Sequence, residues 1–185
     1  RAALRQRGIE AVDTERALDG AEAVILAVPD NRIAGVMQTI EKKLAAGTLV
    51  VLLDVAAAHA GLLPANPSLQ YFVTHPCHPP IFNDETDLEA KRDYFGGLKA
   101  KQAIVCALLR GKEENFDLAE DVSKRMYAPV MRSHRVSVDH MAILEPVLSE
   151  TVCATCLTII REATDEAIRR GVPEQAAREA LAATR

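Results

Sequence analysis

Hydrophobic positions in the first half of the chain fall into short continuous runs separated by helix-spaced stripes. Three runs are apolar almost throughout, Ala23–Val28, Thr48–Val55 and Tyr71–Thr74. A run of this length, rich in β-branched residues, indicates a strand buried on both faces. Between the first two runs, Ile33–Leu44 carries apolar residues at helical spacing. Strands that alternate with helices predict right-handed crossovers and a mostly parallel α/β sheet.

Weaker patterns add further elements to this sheet. Ile9–Val12 and Val136–Val138 are predicted to be short strands, and Gln102–Leu109 a longer one. Glu113–Tyr127 has an apolar stripe and acidic residues in its first turn, which is typical of an amphipathic helix.

The last part of the chain is helical by its pattern. Asp139–Arg170 is predicted to be one long helix that ends at Gly171, and Pro173 begins a final Ala-rich helix. We therefore expect an α/β domain over residues 1–135 and a helical region over residues 136–185.

Composition narrows the functional classes. The net charge of −4 gives no basic footprint, and aromatic residues make up 4% with no Trp, so nucleic-acid binding is disfavoured. Four cysteines among 185 residues lie in apolar or helical surroundings, which favours a reducing cytoplasm over a secreted disulfide scaffold. The least charged stretch, Met141–Ile160, contains Glu145, Pro146 and Glu150, so we expect no membrane span.

Candidate chemistry gathers where the three apolar runs end. Their carboxyl ends carry Pro29-Asp30-Asn31, Asp54-Val55-Ala56 and His75-Pro76-Cys77-His78. Ligands of parallel α/β sheets bind beyond the carboxyl ends of the strands, so these segments predict a ligand crevice. A strand that ends in a turn is commonplace, and Val28-Pro29-Asp30 alone is a weak signal for nucleotide binding.

Two histidines stand at the end of the third run. His75 and His78 are candidate acid–base groups, because imidazole is the side chain best suited to proton transfer near neutral pH. A structural role for either ring remains the alternative. The His-x-Cys-His spacing around Cys77 also resembles a metal-binding pattern, but no second cluster completes a structural zinc site.

Glu145 and Glu150 are the acids of an otherwise apolar helical segment. A buried carboxylate is paired, protonated, metal-bound or functional, whereas the alternative is one exposed stripe on a half-buried helix. In an α-helix the two glutamates point apart, so a shared site requires a kink, which Pro146 could supply. Cys153 and Cys156 lie inside the same helix, where a core role is expected.

Several motifs resemble a known family. Ala23–Asp30, Leu53-Asp54-Val55 and Thr74-His75-Pro76 resemble the dinucleotide domain of the 6-phosphogluconate-dehydrogenase-like superfamily, which includes prephenate dehydrogenases and ketol-acid reductoisomerases. More narrowly, four segments are similar to D-apionate oxidoisomerases: His75–Phe82, Phe95-Gly96-Gly97, Lys101–Cys106 and Ile143–Thr151.

The resemblance implies NAD-dependent oxidation of a sugar acid, coupled to isomerisation. It implies a Rossmann-type dinucleotide-binding domain over residues 1–135 and a helical substrate or dimerisation region over residues 136–185. It implies cofactor contacts at Val28, Pro29 and Asp30, and places His75 near the substrate hydroxyl as the polarising or proton-accepting group. From the residues themselves we add Asp54 as a cofactor contact, and His78 and Glu145 as orienting or acid–base groups, with a smaller share for Glu150. By analogy with reductoisomerases it makes a divalent metal plausible. It further suggests a homodimer through the apolar helix 147–160.

The chain departs from the superfamily pattern in two respects. In one, Ala56–Ala58 stand where prephenate dehydrogenases carry a serine, so that part of their catalytic apparatus does not transfer. The other concerns the start of the domain. The first strand and the Gly-x-Gly-x-x-Gly turn of a Rossmann domain are missing, so the sheet is expected to be partial and the chain alone to bind NAD weakly. Two other functions remain open. One is a simple hydroxy-acid dehydrogenase that acts on a phosphorylated or dicarboxylic substrate, with Lys99, Lys101 and Arg135 as anion contacts. The other is a non-catalytic ligand-binding domain.

Overall fold

The computed structural model describes residues 2–80 and 83–182, and the chain divides into two compact units, Arg1–Met141 and Ala142–Arg185. Ile81 and Phe82, which end one of the family motifs, lie outside the described residues. The strands of the first unit are β1 (Ala23–Leu26), β2 (Leu49–Leu52), β3 (Gln70–Pro76), β4 (Gln102–Arg110) and β5 (Val130–Arg135). Its helices are α1 (Ala2–Gln6), α2 (Thr14–Leu18), α3 (Asp30–Ile40), α4 (Ala56–His59), α5 (Leu88–Arg92), α6 (Phe116–Met126) and α7 (Val138–Ile143), the last of which continues into the second unit.

The five strands form one sheet in the order in which they occur along the chain. β1, β2 and β3 are parallel, β4 is antiparallel to β3, and β5 is parallel to β4. The predicted α/β fold with a mostly parallel sheet is thus confirmed. Because β1–β3 run in one direction, their carboxyl ends meet at one edge of the sheet. The amino end of β4 reaches the same edge, since Pro76 pairs with Ile104.

The core lies against the middle strands. All four residues of β2 are buried, as the continuous apolar run predicts. Phe72 of β3 is fully buried and contacts Phe116 of α6 edge to face, at 5.3 Å between ring centroids. On α3, Ile33, Met37 and Ile40 are buried at helical spacing. Helices of the same chain therefore cover the sheet.

Two predicted strands are wrong. Ile9–Val12 forms no strand, and Ile9 is 51% exposed. Val136–Val138 is not a strand either, because the ladder with β4 is made by Val130–Arg135. That strand was missed because it carries two arginines and a histidine. As the outermost strand of the described sheet, it tolerates exposed polar side chains that a central strand would exclude.

The second unit consists of helices. A π-helical segment (Leu144–Cys153) is followed by α8 (Ala154–Arg169) and, after a turn, by α9 (Glu174–Ala182). The predicted long helix is confirmed, and the segment around Pro146 is π-helical. Pro146 has no N–H to donate within the helix, and Thr151 donates from Oγ1 to the Pro146 carbonyl, five residues earlier, at 2.6 Å. By length and composition alone, Val138–Arg169 could cross a membrane.

Candidate functional site

His75 lies within β3, paired with Val105, rather than on the loop that follows the strand. Its ring nitrogen Nδ1 is 3.0 Å from the carbonyl oxygen of Leu53, the residue that follows β2. A carbonyl can only accept a hydrogen bond, so Nδ1 is the donor and carries the hydrogen. In the neutral ring Nε2 then holds the lone pair. This tautomer can take up a proton or bind a metal through Nε2.

Asp54 brings a carboxylate to the same place. One of its oxygens lies within 4.8 Å of a ring nitrogen of His75. Asp54 also accepts a hydrogen bond at 2.9 Å from the backbone N–H of Ala56, which begins α4. This bond fixes the carboxylate where β2 turns into the helix. The two parallel strand ends thus place one carboxylate and one imidazole side by side, as the sequence predicts.

His78 lies beyond the strand end and has a φ of 59°, a backbone conformation that few residues other than glycine adopt. Its Nδ1 is 3.1 Å from the carbonyl oxygen of Phe95 and is therefore the donor. The ring meets His75 edge to face at 6.0 Å between centroids, and Phe95 at 5.8 Å. His78 thus connects the strand end to a second loop.

That second loop precedes β4, and Asp93 holds it in shape. The Oδ2 atom of Asp93 accepts hydrogen bonds from the backbone N–H groups of Leu98, Lys99 and Ala100, at 2.8–3.0 Å. These bonds, led by the one from Lys99, hold the pKa of Asp93 below its ordinary value, against the effect of burial. Reasoning from the sequence missed Asp93, although the adjacent Gly96-Gly97 pair marks a loop.

The segment predicted to contact a cofactor begins α3. Pro29 precedes the helix as its N-cap, and its carbonyl accepts a hydrogen bond from Arg32 at 2.8 Å. Asp30 is the first helical residue, and Val28 is 36% exposed. These residues follow β1, so they lie at the same sheet edge as Asp54 and His75. Their role as cofactor contacts stays a prediction.

The two glutamates lie in the second unit and differ in exposure. Glu145 is buried, with 7% of its surface accessible, whereas Glu150 is exposed. Both belong to the π-helical segment Leu144–Cys153, and π-helical turns are frequent at functional sites. Burial favours Glu145 over Glu150, and a catalytic role for either stays a prediction.

One pair of cysteines differs from its predicted burial. Cys153 and Cys156 are exposed, so the predicted core role is wrong. Cys106 is buried between Thr74 and Ser133, whose hydroxyls lie 3.5 and 3.6 Å from its sulfur. Burial raises the pKa of Cys106, which makes it an unreactive core thiol. All four thiols of the chain are free, which is compatible with a reducing compartment.

Two of the three cations proposed to bind a phosphate are engaged elsewhere. Lys99 pairs with Asp87 and Glu89 at 2.8 and 2.7 Å, and Arg135 pairs with Glu113. Lys101 lines a cavity of about 750 Å³, together with Tyr94 and Pro79 among others. The structure therefore gives no cluster of available cations at the strand ends, within the part of the chain that it describes.

The fold and the strand ends define a class of protein. A mostly parallel Rossmann-type sheet with a helical region after it is an architecture of nucleotide-dependent dehydrogenases. Residues 83–183 match the family described as phosphogluconate dehydrogenase (decarboxylating) C-term. The match spans more than half of the chain, which therefore belongs to that family.

Individual relatives agree with this assignment. The chain is 60% identical over 174 residues to a D-apionate oxidoisomerase from Cupriavidus necator, with 94% of this chain and 63% of the relative covered. Over 173 residues it is 60% identical to a D-apionate oxidoisomerase from Rhizobium rhizogenes, with the same coverage of both chains. The resemblance expected from the motifs is confirmed. The chain spans less than two thirds of the length of these relatives.

Solved structures show the same likeness. A semialdehyde dehydrogenase NAD-binding protein from Cupriavidus necator, in complex with calcium and NAD, is 58% identical and superposes with a TM-score of 0.90, over 96% of this chain and 64% of that one. An NADH-preferring ketol-acid reductoisomerase from an uncultured archean has a TM-score of 0.69 at 14% identity, over 95% of this chain and 51% of that one. This second likeness concerns the fold alone.

Proposed function

We propose that the protein is an NAD-dependent oxidoreductase that oxidises a hydroxylated sugar acid of the D-apionate type and couples the oxidation to isomerisation. The observation that carries the proposal is His75, whose Nδ1–H donates to Leu53 at a sheet edge where ligands of this fold bind. Relatives at 60% identity that are named D-apionate oxidoisomerase support the choice of substrate.

His75 would act as the proton acceptor. With Nδ1 committed to the Leu53 carbonyl, Nε2 would take the proton of the substrate hydroxyl as the carbinol carbon loses its hydride. The bond to Leu53 keeps the ring in this tautomer and orientation. NAD, when bound, supplies the hydride acceptor. Val28, Pro29, Asp30 and Asp54 would lie along the cofactor side of the edge.

A metal role for His75 is a second candidate, and the proximity of Asp54 favours it. A carboxylate oxygen and an imidazole nitrogen within 4.8 Å of each other are suitable ligand types for a divalent cation. A cation held there would supply a Lewis acid for the hydroxyl group. The calcium in the complex of the Cupriavidus necator NAD-binding protein also supports this candidate. Proton acceptance and metal binding would use the same nitrogen, so they exclude each other.

Chelation separates the two roles. The full-length protein is assayed with D-apionate by following NADH absorbance, before and after removal of divalent cations with EDTA. If His75 is the base, kcat survives chelation. If His75 binds a metal, kcat falls and returns on addition of Ca²⁺, Mg²⁺ or Mn²⁺. In either case His75→Ala is expected to lower kcat by about 10²–10⁴-fold. A His75→Ala protein with kcat within a few-fold of wild type would refute both roles.

Glu145 is proposed as a further acid–base or orienting group, on the strength of its burial in a π-helical segment. Glu150 is given a smaller share, because it is exposed. Glu145→Gln keeps the size of the side chain and removes its charge. We expect it to lower kcat at least tenfold more than Glu150→Gln does, in the same assay. Equal effects of the two variants would remove the distinction between them.

We propose that the protein is a homodimer and that it is located in the cytoplasm. The helix through the second unit exposes large apolar side chains, among them Val147, Val152 and Ile159 at 47–58%. A surface of this kind usually marks an interface. The mass of the full-length protein, measured by sedimentation without detergent, should be twice that of one chain. Co-flotation with lipid vesicles would instead indicate a membrane contact.

A further inference from the structure

We infer that His78 is a positioning residue that holds the loop of Phe95 at the end of the His75 strand, and that the Phe95 ring forms a wall against which the substrate packs. The inference deepens the proposed function and rests on it for the identity of the substrate. It also changes the role expected of His78, from substrate orientation or acid–base support to the placement of a neighbouring loop.

The hydrogen bond of His78 favours this role. Its Nδ1–H donates to the carbonyl of Phe95 at 3.1 Å, and its ring meets those of His75 and Phe95 edge to face, at 6.0 and 5.8 Å between centroids. The φ of 59° is an uncommon backbone state that persists only where the surroundings enforce it. Such states are found preferentially at functional sites. The backbone of His78 is thus shaped to bring its ring to Phe95.

The loop that carries Phe95 is fixed from within. The carboxylate of Asp93 accepts hydrogen bonds from three backbone N–H groups of the loop. Gly96 packs tightly against the buried side chain of Gln102, since a Cβ atom at position 96 would lie 2.5 Å from it. Phe95 is nevertheless 79% exposed, and Tyr94 is 74% exposed. Large apolar side chains held in the open by a braced loop indicate a contact surface rather than a mobile tip.

The position of Phe95 points to the ligand of His75 as its occupant. The ring is linked to His75 through a single intervening side chain, that of His78. The face of an aromatic ring is electron-rich and favours C–H groups that carry partial positive charge. A sugar acid presents such C–H groups on its carbon skeleton, while its hydroxyl group would face the imidazole of His75.

Asparagine at position 78 separates positioning from acid–base catalysis. His78→Asn keeps an N–H donor close to the place of Nδ1 and tolerates a positive φ, but it cannot titrate. If His78 positions the loop, kcat should fall by no more than about threefold and the pH profile should keep its shape, whereas His78→Ala should raise KM by about tenfold. A drop in kcat of about 100-fold in His78→Asn, or the loss of one limb of the profile, would overturn the inference. His134→Asn, at an exposed histidine of β5, controls for the loss of an imidazole elsewhere.

The wall itself is tested by Phe95→Ala and Phe95→Leu. With D-apionate as the substrate, we expect KM to rise about tenfold in Phe95→Ala and less in Phe95→Leu, with kcat changed by less than KM. A KM within twofold of wild type in Phe95→Ala would refute the contact. Thermal unfolding of each variant shows whether the loss is one of folding instead.

One measurement is independent of the substrate. In ¹⁵N-labelled protein, the imidazole resonances of neutral His78 should report a hydrogen on Nδ1, and amide exchange over residues 95–100 should be faster in His78→Ala than in His78→Asn. A hydrogen on Nε2, or equal exchange in the two variants, would overturn the positioning role. Failure of wild-type protein to oxidise D-apionate, by contrast, would refute the proposed function and leave these two results unaffected.

Discussion

The middle strands of the sheet and the helix of the second unit have similar hydrophobic character in the sequence but opposite surroundings in the structure. Val51 and Phe72 are fully inaccessible, whereas Val152 and Ile159 are 49% and 58% exposed. In the sheet, α3 and α6 provide cover from the same chain. Apolar residues therefore indicate that a surface requires cover, but they do not indicate which molecule provides it.

The comparison is tested most strongly by truncating one residue of each kind. Phe72→Ala removes a ring from a filled core and should lower the free energy of unfolding by about 3–5 kcal/mol. Ile159→Ala removes side-chain surface that is largely in water and should cost less than about 1 kcal/mol in dilute protein. Urea unfolding of both variants measures the difference. A loss for Ile159→Ala as large as that for Phe72→Ala would show that the helix is covered within the monomer.

A charge on the exposed helix should act on assembly rather than on folding. Val152→Asp places a carboxylate in the proposed interface, and we expect the dimer to weaken by about 100-fold, since a buried unpaired charge costs several kcal/mol. Leu88→Asp is the matched control, because Leu88 is 67% exposed but lies on α5 of the first unit. Sedimentation over a range of concentrations measures both. If Val152→Asp dimerises as wild type does, this part of the helix is not the interface.

The smallest expected effect concerns Asp93, whose hydrogen bonds hold the loop that carries Phe95. In the folded state the pKa of Asp93 is lowered below its ordinary value of 3.8. The stability contributed by the Asp93 carboxylate is therefore fully present above pH 3.8 and is lost as the pH falls through the lowered pKa. Amide exchange at Leu98, Lys99 and Ala100, relative to the rest of the sheet, should therefore rise selectively only in strong acid. Asp93→Asn should show faster exchange at these amides already at neutral pH. Unchanged exchange in that variant would show that the loop does not depend on the carboxylate.

Local pattern was sufficient for the elements that are buried. β2 and α3 were predictable, because continuous burial and one-sided burial leave different periods in the sequence. β5 was not predictable, since an outermost strand is held by backbone pairing and its side chains can be polar. Ile9–Val12 failed for the opposite reason: its apolar residues suit a strand, but the described structure gives it no partner strand.

The candidate site shows the same division. The ends of β1, β2 and β3 could be brought together from the sequence, because parallel strands place their carboxyl ends at one edge. The bond from His75 to Leu53, and the contact of His78 with Phe95, could not. Each joins residues 17–22 positions apart across different segments, and only the folded backbone decides that they meet.

The sequence by itself determined the α/β class, the strand ends as the place for chemistry, the histidines and acids that serve as candidates, and the family resemblance. These follow from period, residue type and order along the chain. Only the tertiary structure decided that β4 runs antiparallel to β3, which tautomer His75 adopts, and that Asp93 holds the Phe95 loop by hydrogen bonds. Hydrogen bonds and ring contacts between distant segments depend on three-dimensional register, which leaves no periodic trace in the sequence.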